Sequence, residues 1–147
     1  MRRSWLVIVP ILAWLMVFVM VGRAERPAQG GGRQGGGGWT IPPDAAMEKS
    51  PLTVNDSVIA NGKKLFGSKC QRCHGPNGKG DGPDGEPEHQ QDMDLTVAAR
   101  AARNPDGVVF YKIWNGRSSP KMPTFSEELS KEQVWAIVAY VQTLRAK

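Results

Sequence analysis

The feature that most constrains the fold is the stretch KCQRCHG at positions 69–75. It holds Cys70 and Cys73, the two cysteines of the chain, followed by His74; the chain has one further histidine, His89. A separation of three positions places both sulfurs on one helical turn, and the imidazole follows directly. The fold must therefore present two thiols and an imidazole from one short turn.

Three kinds of site use such residues. An exported protein can join two thiols in a disulfide. A zinc site usually takes four ligands from two spaced pairs, and the adjacency of Cys73 and His74 makes a closed tetrahedron awkward. Cys-x-x-Cys-His is also the attachment pattern of c-type haem, in which the sulfurs bond to the porphyrin and the imidazole lies beneath the iron. The spacing favours haem, with disulfide and zinc as the alternatives.

The N-terminus carries an export signal. Residues 5–22 form a run of eighteen uncharged, mostly apolar residues after Arg2 and Arg3. This length is at the lower limit for a membrane-spanning helix and is longer than a usual signal-peptide core. We expect residues 1–24 to be a signal-anchor or a signal peptide. The rest of the chain is then exported to the periplasmic side of a bacterial inner membrane, anchored or released by cleavage.

The next segment reads as a spacer. Residues 25–54 are rich in glycine and proline and show no apolar periodicity, which predicts a flexible tether. The folded unit is then expected over residues 55–147. It is small for a self-sufficient hydrophobic core, and a cofactor that fills the core would stabilise it.

Apolar periodicity and capping residues predict short helices separated by long loops, an all-α class. Asp56 or Ser57 is expected to cap a first helix, and a short helix follows Thr96. The expected caps of the last two helices are Asn104 for the third and Ser130 with Gln133, a capping box, for the fourth. No alternating stretch is long enough to predict a sheet.

A haem iron held by His74 needs a second axial ligand, and methionine would give an electron-transfer site of raised potential. Met122 lies in the loop NGRSSPKMPTF, where Pro120 and Pro123 stiffen the backbone on both sides. Met47 falls in the predicted tether, and Met93 falls in an acidic loop with little apolar anchoring. We therefore predict that His74 and Met122 ligate the metal.

The sequence resembles the class I c-type cytochromes, the small bacterial single-haem kind. The resemblance covers residues 57–147 and rests on four stretches. These are GKKLFGSKCQRCHGPNGKGDGP, DLT, IWNGRSSPKMPTF and LSKEQVWAIVAYVQTL. It implies a cytochrome c fold, in which several short helices wrap around one haem c attached through Cys70 and Cys73, and in which the N- and C-terminal helices cross.

The resemblance also implies individual roles. Gly62 and Phe66 on the first helix would cross Tyr140 on the last. The Pro83 carbonyl would accept the second ring N–H of His74 and orient it. The apolar lining of the haem would include Leu95 and Trp114, together with Ile113, Phe125 and Val138.

The implied function is electron transfer. With both axial positions filled by side chains, the iron has no open site for a substrate, so we expect an electron carrier and no enzyme. It would pass single electrons between membrane or periplasmic redox proteins, as part of a respiratory or photosynthetic chain. The alternatives are a dedicated cytochrome subunit of a dehydrogenase or reductase complex, and a haem sensor or peroxidase with a labile Met122.

The net charge of the chain indicates little about which partner it binds. The net charge of the chain is +5, but residues 55–147 carry thirteen basic and eleven acidic side chains. Basic patches with interleaved aromatics are missing, so we expect no nucleic-acid binding. Five basic residues lie near the predicted ligands in sequence, and they would steer the haem edge to an acidic partner: Lys69, Arg72, Lys79, Arg117 and Lys121.

Overall fold

The structure is a computed structural model, and it describes residues 38–145. The predicted signal-anchor or signal peptide over residues 1–24 and residues 25–37 of the predicted tether lie outside the described residues. Within residues 38–145, no helix is long and apolar enough to cross a membrane.

The described chain contains helices and loops, without a β-strand in residues 38–145, which confirms the all-α class. Six α-helices follow one another: α1 (Asp56–Lys69), α2 (Gln71–His74), α3 (Gln90–Met93), α4 (Ala98–Ala101), α5 (Asp106–Asn115) and α6 (Lys131–Arg145). Two short 3₁₀ turns, Ala45–Met47 and Pro87–His89, precede α1 and α3. The three long helices α1, α5 and α6 form the core.

Helix α6 begins with the capping box that the sequence predicts. The Ser130 N–H donates to the Gln133 Oε1 atom (2.8 Å), and the Gln133 N–H donates to the Ser130 Oγ atom (3.3 Å). Leu129 and Val134 are both buried in the main core cluster, as expected for a hydrophobic staple. These contacts fix where the last helix starts.

Two other predicted caps are wrong by one or two residues. Asn55 caps α1, because its side-chain oxygen accepts from the Val58 N–H (3.0 Å). Asn104 does not cap α5, which begins after Pro105. The Asn104 side chain instead donates to the Arg100 carbonyl and accepts from the Lys112 ammonium, so tertiary partners replace the predicted local bond.

Helices α1 and α6 cross at Gly62. A Cβ atom at this position would overlap the Ala136 carbonyl oxygen, so only glycine allows the two backbones to approach this closely. Beside the crossing, the Phe66 and Tyr140 rings meet edge to face at 5.3 Å. The crossing implied by the resemblance is therefore present, and it brings the end of α1 against the core.

The tether prediction is wrong for residues 39–48, which we call the N-terminal strap. Ile41 and Ala45 of the strap are buried and form a small second core with Val108 of α5. Gly107 permits this contact, because a Cβ atom there would overlap the Ala45 carbonyl oxygen. The composition around the strap is polar and rich in glycine, so it gave no sign that Ile41 and Ala45 would pack. The folded unit therefore begins before residue 55.

Candidate functional site

The junction of α1 and α2 positions the two thiols and the imidazole. Cys70 ends α1, where its N–H donates to the Phe66 carbonyl (2.8 Å), and the His74 N–H donates to the Cys70 carbonyl (3.0 Å). Both cysteines are free thiols, so the disulfide interpretation is not what the structure shows. The motif folds as the short helical turn that its spacing predicts.

These groups line one cavity of about 640 Å³, which also holds Met122. Its walls are built from residues of all six helices and of the loops between them, and they combine apolar and charged side chains. The apolar lining consists of Phe66, Leu95, Val109, Ile113, Phe125, Ile137 and Val141. The volume lies within the range of buried cofactor sites.

Two backbone hydrogen bonds between Arg117 and Met122 close the loop that carries Met122. The Arg117 N–H donates to the Met122 carbonyl (2.8 Å), and the Met122 N–H donates to the Arg117 carbonyl (2.9 Å). Pro120 and Pro123 flank Met122 and also line the cavity. The structure thus brings His74 and Met122 to the same cavity, although 47 residues lie between them.

The second nitrogen of the His74 ring is oriented by the backbone of Met93. The His74 Nδ1 atom lies 2.8 Å from the Met93 carbonyl oxygen. Met93 is held there because the Leu95 N–H donates to the Gly78 carbonyl (2.7 Å) and the Asp94 N–H donates to the Gln90 carbonyl (3.0 Å). The bond fixes the tautomer in which Nδ1 is the donor and Nε2 has a free lone pair.

The expectation that the Pro83 carbonyl would accept from this ring is therefore wrong. Pro83 is exposed, and the residues on either side of it, Gly82 and Asp84, pack against the backbone of α2. Asp84 donates its N–H to the Arg72 carbonyl (2.8 Å). Gly82 is packed so closely there that a Cβ atom would overlap the same Arg72 oxygen.

The expectation for Trp114 is wrong as well, whereas Leu95 lines the cavity as expected. Trp114 is half-buried outside the cavity lining and stacks on Phe110 at 5.7 Å, with the Lys131 ammonium over its other face. Val138 is buried in the core and also lies outside the lining. Helix α5 turns Ile113 toward the cavity, and its neighbour Trp114 points away.

The protonation of His74 favours an imidazole ligand, and the scarcity of further ligand side chains within residues 38–145 disfavours a zinc site. Desolvation lowers the pKa of His74, against an opposing effect of the Met93 carbonyl, so the ring is neutral at pH 7 and can offer a lone pair. Burial, with a smaller effect of Cys73, raises the pKa of the Cys70 thiol to about 12. Zinc is bound by thiolates. Within residues 38–145, no three His, Cys, Asp or Glu side chains cluster as metal ligands.

One end of the cavity is lined by basic side chains, and this grouping was not predicted from the sequence. Five basic side chains from α4, α5, α6 and the loops line it: Arg100, Arg103, Lys112, Arg117 and Arg145. Burial and the charges of Arg117, Arg145 and Arg100 lower the pKa of Lys112 to about 8. These residues are scattered over 46 positions, so only the tertiary fold brings them together. We call this set the basic end.

The predicted basic ring near the ligands is partly neutralised. Lys69 forms an ion pair with Glu128 (2.6 Å), and the Arg72 guanidinium donates to Asp84 (2.9 Å). Lys69, Arg117 and Lys121 line the cavity, while Lys79 is exposed outside its lining. The acidic residues Asp84, Glu86 and Asp92 also line the cavity, so its surroundings carry both signs of charge.

The family model for cytochrome c matches residues 59–145. The chain belongs to the cytochrome c family. Members of this family carry covalently bound haem c and act as electron carriers, and the thiols, imidazole and apolar walls described above fit that group. When bound, such a haem supplies an iron that changes its charge by one electron, and the protein supplies its attachment.

Individual proteins are also similar to this chain. Cytochrome c6 of Parathermosynechococcus lividus is 26% identical over 89 residues, which is 60% of this chain and 93% of that protein. Two solved structures are also similar. A chain of the Kuenenia stuttgartiensis reducing HAO-like protein complex Kustc0457/Kustc0458 is 31% identical with a TM-score of 0.55, over 65% of this chain and 47% of that one. Cytochrome CL of Methylophaga aminisulfidivorans is 26% identical with a TM-score of 0.47, over 61% and 57%. This cytochrome thus spans about half the length of the similar chain from the reducing HAO-like protein complex.

Proposed function

We propose that this chain is a single-haem c-type cytochrome that carries one electron at a time between redox proteins. The observation that supports it is the convergence of Cys70, Cys73, His74 and Met122 on one cavity. Thioether bonds from the two sulfurs would fix the haem. The His74 Nε2 atom and the Met122 sulfur would then bind the iron from opposite faces.

This ligand set supports transfer without bond-making chemistry. A histidine and a methionine close both axial positions and raise the reduction potential. The Met93 carbonyl holds the His74 ring in one orientation, and the bridge between Arg117 and Met122 holds the sulfur-bearing loop. Both ligands therefore keep their place when the iron changes oxidation state, and little reorganisation accompanies each transfer.

The decisive experiment compares absorption spectra of the oxidised and reduced purified protein. We expect a low-spin c-type spectrum whose methionine-to-iron band vanishes in Met122→Leu. Met93 is the matched control because it also lines the cavity, and Met93→Leu keeps its backbone carbonyl. A band that survives Met122→Leu and disappears in Met93→Leu would overturn the ligand assignment. Haem that acidified acetone extracts would overturn the covalent attachment.

A sensor or peroxidase would need a labile methionine. Carbon monoxide added to the reduced protein at neutral pH separates the two functions. An electron carrier keeps its spectrum, because Met122 occupies the sixth position. A shift of the spectrum without denaturant would show an open position and would contradict the proposal.

A second candidate function is that of a cytochrome subunit within a larger redox complex. The similarity to a chain of the reducing HAO-like protein complex favours it. Size-exclusion chromatography of native extract distinguishes the two. A carrier elutes as a particle of its own mass, whereas a subunit elutes with other chains and separates from them only under dissociating conditions.

We further propose that the domain works on the periplasmic side of a bacterial inner membrane, where its donor and acceptor are redox proteins. The uncharged run at residues 5–22 after two arginines supports export. Fractionation of cells tests this. An uncleaved anchor leaves the haem protein in the membrane pellet after a salt wash, and cleavage releases it with the periplasmic fraction. Haem protein in the cytoplasm would contradict export.

A further inference from the structure

The N-terminal strap contributes a side chain to the haem cavity, although it precedes the residues that match the family. Trp39 lines the cavity at its basic end. The Arg117 guanidinium carbon lies 4.7 Å from the centre of the Trp39 ring, and the Lys112 ammonium lies 5.3 Å from it. Both distances are typical of cation–π contacts.

The strap is held in this place by packing on α5. Ile41 is 8% exposed, Ala45 is 6% exposed, and Val108 beneath them is fully buried. Gly107 leaves room for the Ala45 and Glu48 backbone. Trp39 is the first residue of the strap and directly follows the run of glycines at positions 35–38.

The basic end has a surplus of positive charge. Lys112 donates to the Asn104 side-chain oxygen (2.6 Å), and Arg145 donates to the Asn104 backbone oxygen (2.9 Å); both acceptors are neutral. Arg100 forms a long ion pair with Asp92, at 4.0 Å. Grouped cations that face a cavity are stabilised when anions enter it. A haem carries two carboxylates on one edge.

We propose that the N-terminal strap is a lid of the haem site: Trp39 covers the basic end, where Lys112, Arg100 and Arg145 bind the two haem carboxylates. The inference rests on the proposed function. It assigns the carboxylate edge of the haem to the covered side of the cavity.

The lid predicts how salt affects the reduction potential. Ions screen charges that water reaches and screen covered charges much less. A covered basic end therefore gives a potential that changes little with ionic strength. Lys112 stabilises the reduced iron, which carries one positive charge fewer than the oxidised iron, so its removal lowers the potential.

The test measures the midpoint potential of the full haem-loaded protein at low and at high salt. We expect Trp39→Ala to enlarge the salt-dependent change about twofold or more. Trp39→Phe retains an aromatic face over the cations and stays near the wild type. Met47→Ala is the control on the strap, because Met47 is 77% exposed. Gly107→Ala, which displaces the strap, should act in the same direction as Trp39→Ala.

A second measurement, resonance Raman spectroscopy, detects the environment of the haem carboxylates directly. Lys112→Met should lower the potential and shift the resonance Raman bands of the haem carboxylates, and Trp39→Ala should shift the same bands. If Trp39→Ala has the salt response and the carboxylate bands of the wild type while the c-type spectrum is normal, the lid is overturned alone. If the wild type lacks thioether-bound haem, the proposed function is overturned with it.

Discussion

The His74 Nδ1 atom lies 2.8 Å from the backbone oxygen of Met93. This bond connects the haem-attachment turn to the acidic loop between residues 81 and 94, a segment that contains six acidic residues and no lysine or arginine. The loop therefore has a structural role at the site, whichever partner it faces. Because the acceptor is a backbone oxygen, its place depends on how the loop is held and not on the methionine side chain.

Gly80→Ala should weaken that bond. Gly80 has a φ of +74°, and a Cβ atom there would overlap the Gln90 carbonyl oxygen and lie 3.1 Å from the Asp94 nitrogen, so residues 90–94 must move. An imidazole that loses its acceptor is a poorer electron donor to the iron. We expect a higher reduction potential, measured by redox titration, and a stability loss of about 1–3 kcal/mol.

Gly38→Ala is the matched control for this change. Gly38 has nearly the same backbone angle (φ +76°), but its added Cβ would meet nothing within 4 Å. It should leave the potential unchanged. Equal potentials for Gly80→Ala and the wild type would show that the loop does not set the properties of the imidazole.

Gly62→Ala should destabilise the protein because the new methyl group would overlap the Ala136 carbonyl at the crossing of α1 and α6. Backbone atoms cannot give way as a side chain can, so we expect a loss of about 3 kcal/mol or more in unfolding free energy. Urea denaturation of the haem-loaded protein measures it. Gly67→Ala on the same helix is the control, since its nearest neighbour would lie 3.7 Å away, and it should gain about 0.5–1 kcal/mol. Similar values for the two variants would contradict the close crossing.

The sequence predicts the parts of this molecule that depend on local spacing. The turn that carries Cys70, Cys73 and His74 and the capping box at Ser130 follow from positions a few residues apart. These two features are decided by covalent geometry and by helix periodicity, which the residues alone specify. The flanking prolines indicated Met122 as a candidate, and the resemblance to a family indicated the glycine at the crossing, but the contacts of both residues are with distant parts of the chain.

Features that depend on distant contacts could not be predicted in this way. The acceptor for His74 is a backbone oxygen, and any residue supplies one, so Met93 carries no signal that separates it from Pro83. The basic end combines residues from three helices. The N-terminal strap joins the fold through Ile41 and Ala45, two apolar residues in a segment whose composition resembles a linker. Packing decides all three.

Ser130→Ala tests how much the capping box contributes to α6. The substitution removes the oxygen that accepts from the Gln133 N–H, and a lost N-cap side chain costs about 1 kcal/mol. We expect a loss of that size in thermal or urea unfolding. Ser68→Ala serves as control, because the Ser68 hydroxyl is exposed and bonds only to the Leu65 carbonyl within α1; its effect should stay within about 0.5 kcal/mol. An unchanged unfolding free energy in Ser130→Ala would show that Gln133 alone maintains the start of the helix.

The pair formed by Arg72 and Asp84 makes a pH-dependent contribution with a definite sign. Hydrogen bonding to Arg72, with its charge, lowers the pKa of Asp84. A carboxyl whose pKa is lower in the folded state stabilises that state above the pKa of the unfolded chain, near 3.9. The contribution is lost as the pH falls through the lowered value. Both groups are exposed, so the effect on stability should be small and should weaken with salt.

Arg72→Gln should therefore raise the pKa of Asp84 toward its ordinary value, which an NMR titration of the carboxyl carbon measures. Lys69→Gln is the matched control, since it removes an exposed cation that pairs with Glu128 and not with Asp84. The Asp84 N–H still donates to the backbone of residue 72 in the variant, so residue 84 stays beside α2 and the titration reports the lost charge alone. A pKa that shifts equally in both variants would indicate a general effect of net charge in place of the specific pair.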